Sequence, residues 1–253
     1  MQGKEKIGLA LGGGAVLGAA HVGVLRAIEE VDLKIEFITG TSIGAFVAAL
    51  FAFGKDWKQI KEIASELDWM DITSISLSRY ALLFNQKLGD LLIKHIGDVN
   101  IEDSEIPLAF IATDATTGEK VILDKGAVAE AVMASTCIPG IFVPVQIDNR
   151  ILLDGGIVEN VPINTIRTMG AEFVIGVDLN SKNQYQKPKN ILDVLLNSFH
   201  FLMTYSTKLQ TKEADVLIEP DLSAFNRSGM DQLEDLIEKG YEDARKVVKN
   251  LNE

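Results

Sequence analysis

The stretch Gly40-Thr41-Ser42-Ile43-Gly44 constrains the fold of this chain more than any other feature of its sequence. An apolar run of β type ends there, and an uncharged run of helical type follows. A serine flanked by glycines at a strand-to-helix junction is the pattern of a nucleophile elbow. The turn is tight, so the flanking positions must lack side chains, as Gly40 and Gly44 do. The pattern predicts a serine hydroxyl at the positive end of a helix, where developing negative charge is stabilised. A glycine-rich connection without chemistry is the alternative.

Length, charge and cysteine content exclude several classes of protein. The chain has 253 residues, 47% of them apolar, which suits one α/β domain over residues 1–253 and excludes disorder. The net charge of −12 argues against a nucleic-acid partner and against electrostatic docking on anionic lipid. A single cysteine, Cys137, excludes a disulfide framework, and the N-terminus lacks a signal-peptide pattern. We therefore expect a cytoplasmic protein, with any membrane attachment peripheral.

Apolar runs of β type alternate with runs at helical spacing along the chain. This alternation predicts a three-layer α/β/α sandwich with a largely parallel central sheet. Residues 57–67 are amphipathic and residues 68–98 are mixed in character, and we interpret residues 57–98 as short helices that form a cap. Residues 191–209 are predicted to form a helix with apolar side chains on more than one face.

A second glycine-rich segment, Gly12-Gly13-Gly14, lies between the first strand and the first helix. Backbone N–H groups at such a helix start bind anions, so the segment is either an oxyanion hole or a pyrophosphate site. The dinucleotide alternative fits poorly, because the spacing to Gly18 is one residue too long. In addition, the second strand ends in Thr39 and Gly40 instead of a ribose-binding acid. Ser42 follows that strand, which places it beside the glycine loop.

Asp154 is the best candidate for the base that activates Ser42. It leaves a strand-type run and is followed by Gly155 and Gly156. If its strand were parallel to the strand before Ser42, the two residues would share one edge of the sheet. An Asp-Gly turn without chemistry is the alternative.

A catalytic histidine is the other means of activating a serine, and the chain has three histidines. His21 is predicted on the first helix, His95 in the cap region and His200 within an apolar helix. The order Ser42, Asp154, His200 matches that of the α/β-hydrolases. That fold, however, has several strands before its nucleophile and places its histidine in a loop. A dyad of Ser42 and Asp154 fits the placement better.

These motifs together resemble those of the patatin-like phospholipases, of the small bacterial type. The family's motifs are matched in order by four segments. They are the glycine loop with Gly18 and His21, the elbow at Ser42, the proline block from Ala134-Ser135 through Ile138-Pro139-Gly140-Ile141-Phe142 to Pro144, and Asp154-Gly155-Gly156. The resemblance implies a three-layer fold related to cytosolic phospholipase A2, and a Ser–Asp dyad without a catalytic histidine.

The resemblance also implies a serine acyl hydrolase of the phospholipase A, lysophospholipase or carboxylesterase type. Ser42 would be the nucleophile and Asp154 the general base. The oxyanion hole would be formed by backbone N–H groups at Gly12, Gly13, Gly14 and Ile43. The elbow and motif would be supported by glycines at Gly40, Gly44, Gly155 and Gly156. No cofactor or metal is expected, because no cluster of His, Cys and carboxylates has ligand spacing.

The expected partner is a lipid or acyl-ester substrate, with transient contact to a membrane surface. Because the net charge is −12, we expect this contact to be apolar, through residues 69–84 or 191–209. Phe199 and Phe201 are the side chains we expect to contribute to it. Burial of the whole helix against the sheet is the alternative.

One position departs from the family pattern, since Leu17 stands where the family usually has arginine or lysine. We expect the loss of this cation to shift the substrate preference toward uncharged acyl esters. Two further alternatives stay open: an acyltransferase or thioesterase with the same dyad, and a regulatory or binding protein whose dyad is vestigial.

Overall fold

A computed structural model of the protein describes residues 6–67, 74–75, 83–182, 187–189, 191–226 and 231–251. The strands in these ranges are β1 (Ile7–Leu11), β2 (Phe37–Thr41), β3 (Ser74–Ile75), β4 (Leu83–Phe84), β5 (Leu108–Asp114), β6 (Lys120–Leu123), β7 (Val145–Ile147), β8 (Arg150–Asp154), β9 (Phe173–Val177) and β10 (Val216–Ile218). The α-helices are α1 (Ala19–Glu30), α2 (Ile43–Ala52), α3 (Trp57–Ser65), α4 (Gln86–Ile96), α5 (Val128–Ser135), α6 (Ile163–Thr168), α7 (Ile191–Gln210) and α8 (Leu233–Val248).

The main sheet has the strand order β10-β9-β1-β2-β5-β8-β7, with β6 also paired to β5. The run from β10 through β9, β1 and β2 to β5 is parallel throughout. The pairings of β6 and β8 with β5, and of β7 with β8, are antiparallel. Helices cover both sides of the sheet, so the predicted α/β/α sandwich is confirmed, with a sheet that is parallel at its centre and mixed at one side.

Buried apolar side chains form separate clusters. The smaller cluster joins α6 to β1 and β9 through Ile163, Ile166, Ala10 and Val174. The larger one contains the inward faces of α1, α2, α5 and α8 and takes in Phe199 and Met203 of α7. The helices predicted from apolar spacing thus pack with their apolar faces buried in these clusters.

The strands β2 and β8 approach the same point of β5 from opposite directions. Thr41, the last residue of β2, pairs with Ile111, and Asp154, the last residue of β8, pairs with the next residue, Ala112. Because β6 occupies the other side of β5 at this height, β2 and β8 lie on the same side. The parallel arrangement that would have brought Asp154 to the edge of Ser42 is therefore not the one observed, because β8 is antiparallel. Strands β2 and β8 run in opposite directions along β5, so the C-terminal end of β8 meets the C-terminal end of β2.

Residues 57–98 contain α3, the short hairpin of β3 and β4, and α4. Residues 68–73 and 76–82 lie outside the described ranges, and with them most of the segment 69–84 that was predicted to contact lipid. The role of residues 57–98 as a cap stays a prediction. Among the helices that the structure describes, none combines the length and apolar character needed to cross a membrane.

Candidate active site

Ser42 occupies a strained turn between β2 and α2. Its backbone angles are φ 54° and ψ −128°, a combination that a residue with a side chain rarely adopts. The neighbouring backbone is packed so closely that side chains are excluded. A Cβ at Gly40 would lie 2.4 Å from the Gly44 carbonyl oxygen, and one at Gly44 would lie 2.3 Å from the Leu11 carbonyl oxygen. The glycines on both sides of the serine are therefore required by packing.

Ser135 holds the elbow from below, a role that the sequence did not reveal. The Ser42 backbone N–H donates to Ser135 Oγ at 2.9 Å. Ser135 Oγ in turn donates to the Ile111 carbonyl oxygen at 2.6 Å. The elbow is thus fastened both to the end of α5 and to β5. Ser135 belongs to the segment that matches the family's proline block, but that match does not indicate a contact with the elbow.

Asp154 is completely buried at the end of β8. Its Oδ1 accepts a hydrogen bond from the Gly156 N–H at 2.8 Å, and its own N–H donates to the Cys137 carbonyl oxygen at 2.8 Å. Burial raises the pKa of Asp154 to about 7, against the lowering effect of the Gly156 N–H and the Ser42 hydroxyl. A carboxyl group with this pKa can accept and return a proton near neutral pH.

The second carboxylate oxygen of Asp154 has surroundings different from those of Oδ1. Oδ2 is buried and has no hydrogen-bond partner within the described part of the chain. The Ser42 hydroxyl nevertheless lies near enough to lower the pKa of Asp154. The two groups are therefore neighbours without a short, aligned hydrogen bond in this conformation. Such bonds in free enzymes are often long, and they tighten when substrate is present.

Two of the four N–H groups predicted to hold an oxyanion already have partners. The Gly12 N–H donates to the Val177 carbonyl oxygen at 3.1 Å. The Gly13 N–H donates to Asn160 Oδ1 at 3.1 Å and to the Asn160 carbonyl oxygen at 3.3 Å. Gly13 also lies against the nucleophile, since a Cβ there would be 3.1 Å from Ser42 Cβ. These two glycines form the body of the loop beside the serine.

The other two predicted donors, the N–H groups of Gly14 and Ile43, have no acceptor among the described residues. Ile43 is the first residue of α2, so its N–H cannot bond within the helix. Gly14 precedes a short 3-10 turn, Ala15–Gly18, that leads into α1. Leu17, which replaces the family's basic residue, is buried in that turn.

Buried side chains fix the glycine loop from outside. His21 Nε2 donates to the Gly12 carbonyl oxygen at 2.7 Å, and Asn180 Nδ2 donates to the Gly13 carbonyl oxygen at 2.6 Å. Burial lowers the pKa of His21 to about 4, so its imidazole is neutral near pH 7. Asn160, which accepts from Gly13, also donates from Nδ2 to Thr207 Oγ1 on α7 at 3.1 Å. Sequence reasoning found no role for Asn180, because it lies far from the loop in the chain.

None of the three histidines is hydrogen-bonded to Ser42 or Asp154 in the described structure. His21 contacts the glycine loop. His95 lies on α4, with Nε2 3.1 Å from Glu66 Oε1. His200 is buried on α7, where its ring lies 6.0 Å from that of Phe199.

The helix α7 covers the site. Met203 is buried, and a Cβ at Gly156 would lie 2.9 Å from Met203 Sδ. The same side chain reaches the glycine loop, since a Cβ at Gly13 would be 3.5 Å from Met203 Cε. Ser42 is only 7% exposed beneath this cover. The nucleophile therefore lies in surroundings with little water.

No group of three or more His, Cys, Asp and Glu residues in the described ranges is arranged to hold a metal ion.

A family model described as patatin-like phospholipase matches residues 9–166. An uncharacterised NTE family protein of Mycobacterium bovis is 33% identical over 177 residues, which cover 69% of this chain and 49% of that protein. The patatin-like phospholipase domain-containing protein 7 of Rattus norvegicus is 35% identical over 191 residues, covering 70% of this chain and 14% of its own. Lysophospholipase NTE1 of Saccharomyces cerevisiae is 32% identical over 183 residues, which cover 70% of this chain and 11% of that protein. The chain thus spans about half or less of these relatives.

Solved structures show the same fold at low sequence identity. VipD from Legionella pneumophila superimposes with a TM-score of 0.66 at 14% identity, covering 98% of this chain and 67% of VipD. ExoU from Pseudomonas aeruginosa, solved in complex with SpcU, superimposes with a TM-score of 0.56 at 16% identity. The match covers 97% of this chain and 52% of that chain.

Proposed function

The chain belongs to the patatin-like phospholipase family, and we propose that it is a serine acyl-ester hydrolase that uses Ser42 and Asp154 as a dyad. One observation carries this proposal. A completely buried carboxyl group, whose pKa burial raises to about 7, lies next to a serine held in a strained turn at the start of a helix. This arrangement suits a base that must take a proton from a hydroxyl without a histidine.

In the proposed reaction, Asp154 Oδ2 takes the proton of Ser42 Oγ as Oγ attacks the ester carbonyl carbon. The tetrahedral intermediate collapses when the alcohol leaves with the proton that Asp154 returns. Water then attacks the acyl-enzyme and gives its proton to Asp154. The fatty acid departs as Ser42 Oγ recovers the proton.

The oxyanion of both tetrahedral intermediates is proposed to accept hydrogen bonds from the N–H groups of Gly14 and Ile43. These donors need no reorganisation to receive a substrate oxygen, because they have no acceptor among the described residues. Gly12 and Gly13 are then assigned a supporting role, in which their hydrogen bonds to Val177 and Asn160 keep the loop in position.

The substrate class is proposed to be phospholipids, lysophospholipids or simpler carboxylic esters, since one relative is named a lysophospholipase. A fluorophosphonate probe should label the protein at Ser42, and labelling should be lost in Ser42→Ala. A lipid and ester screen of the unlabelled protein then identifies the substrate. Including alcohol acceptors in that screen separates hydrolysis from acyl transfer. Absence of both labelling and turnover in a folded sample would contradict the proposal.

The pH dependence of the reaction should report the ionisation of Asp154. Because the base must be deprotonated, kcat/KM for an ester without titratable groups should rise with pH and reach half its maximum near pH 7, the pKa expected for this buried carboxyl. Initial rates across a pH series measure this. A midpoint near 4, that of an ordinary carboxyl, would mean that Asp154 is not the buried base of the active state.

A further inference from the structure

The outer face of α7 is an exposed apolar surface above the proposed active site. Of ten large apolar side chains that are exposed in the described residues, seven lie on this one helix. The most exposed are Ile191, Leu202, Tyr205 and Leu209, between 61% and 76%. A concentration of this kind on one element marks an interaction surface, because isolated exposed apolar residues would be scattered over the molecule.

The two faces of α7 have different roles. Ile191, Leu195, Leu202 and Leu209 are separated by multiples of about one helical turn, so they form one outward stripe. Phe199 and Met203 lie on another part of the helix surface and are buried, and Met203 contacts the site. The expectation that Phe199 and Phe201 act together at a lipid surface is therefore wrong for Phe199, which is 8% exposed.

The charge around α7 is opposite in sign to that of the whole chain. Residues 182–213 contain five lysines and two acidic residues, a net charge of +3, in a chain of net charge −12. Exposed lysines stand before the helix, at Lys187 and Lys189, and at or after its end, at Lys208 and Lys212. The expectation that electrostatics oppose lipid binding rests on the charge of the whole chain, and this segment has the opposite sign. Lysines flanking an apolar stripe are typical of helices that lie in the membrane interface.

We propose that the outer face of α7 docks on a phospholipid bilayer, with its apolar stripe in the acyl boundary and the flanking lysines at the phosphate level. A bilayer suits this face better than a second copy of the chain does. Lysines at both ends of the stripe match lipid phosphates, whereas a second copy docked through the same face would bring its own lysines against them.

This docking mode deepens the proposed function, because it presents the site to a substrate that is part of a membrane. The underside of α7 contacts the site through Met203, and its C-terminal half is tied to the segment after Asp154. Asn160 Nδ2 bonds to Thr207 Oγ1, and Gln210 Nε2 donates to the Val158 carbonyl oxygen at 2.6 Å. The face of α7 that is proposed to dock and the face that contacts the site thus belong to the same helix.

Vesicle binding tests the inference independently of catalysis. The Ser42→Ala protein is mixed with vesicles of dioleoylphosphatidylcholine, with and without dioleoylphosphatidylglycerol, and bound protein is measured by sedimentation. Adding Leu202→Ser and Leu209→Ser should weaken the partition coefficient by about tenfold for each side chain removed. The matched control is Ile93→Ser with Ile122→Ser, two exposed isoleucines on α4 and β6. The control should bind vesicles as strongly as the Ser42→Ala parent does. Phosphatidylglycerol should strengthen the binding of the parent and of the control.

A second measurement does not depend on loss of binding. Tyr205→Trp on the outer face should shift its fluorescence to shorter wavelength when vesicles are added, whereas Ile122→Trp should not. Equal binding by the α7 variant and the control, or no shift at position 205, would overturn the proposal. So would a wild-type dimer that becomes monomeric in the Leu202→Ser, Leu209→Ser variant without any vesicle binding, since α7 would then be a self-interface. Normal binding by a protein that cleaves no ester would refute only the proposed function.

Discussion

Ser42→Ala and Asp154→Asn are each expected to lower kcat/KM for ester hydrolysis by about 10³-fold or more, because nucleophile and base act as a unit. Ser42→Ala removes the attacking oxygen. Asp154→Asn keeps the shape of the side chain and can still accept from the Gly156 N–H, but an amide cannot take the serine proton. Initial rates with a short soluble ester measure both effects without any contribution from membrane binding.

Histidine variants are the matched controls for the dyad. His95→Ala should retain nearly full turnover, since His95 lies on α4 beside Glu66. His200→Gln should also retain substantial turnover. His21 is unsuitable as a control, because it holds the Gly12 carbonyl oxygen and its loss would disturb the loop. If a folded His200→Gln protein is as inactive as Ser42→Ala, a triad replaces the proposed dyad.

Asp154→Asn is expected to stabilise the protein while inactivating it. The pKa of Asp154 is about 7 in the folded protein and 3.8 in the unfolded chain, so the folded state favours the protonated carboxyl. The stability this contributes is fully present below about pH 4 and is lost as the pH rises through about 7. A pKa difference of about three units corresponds to about 4 kcal/mol, so at about pH 8 the variant should gain free energy of unfolding of this order.

Denaturant unfolding of the two proteins across pH measures this effect. The difference between Asp154→Asn and wild type should shrink toward zero near pH 4. Asp243 on α8 gives the control of opposite sign. Burial alone would raise its pKa, but hydrogen bonds from Lys246, the Asp221 N–H and Lys239 lower it to about 2. Asp243→Asn should therefore destabilise the protein at neutral pH. A destabilised Asp154→Asn protein at about pH 8 would mean that the folded state favours the carboxylate.

Local features of the fold and site could be predicted from the chain alone. Apolar spacing is a local property, so the helix predicted over residues 191–209 lies close to its observed bounds, Ile191–Gln210. The requirement for Gly40 and Gly44 also follows from a few neighbouring residues, because the turn at Ser42 cannot form with side chains beside it. Motif order was sufficient for the family, which the comparison over residues 9–166 shows.

Tertiary structure decided which side chains come together and which backbone N–H groups already have hydrogen-bond partners. The direction of β8 depends on its pairing with β5, about 40 residues away in the chain, so no local pattern could show that Asp154 arrives antiparallel. The same holds for the loop donors, because Gly12 and Gly13 are bound by Val177 and Asn160, which only folding brings near. The faces of α7 were likewise undetermined, since its apolar residues encircle the helix. Packing of Met203 on the site decides which side is buried, and it leaves Leu202 and Leu209 facing outward.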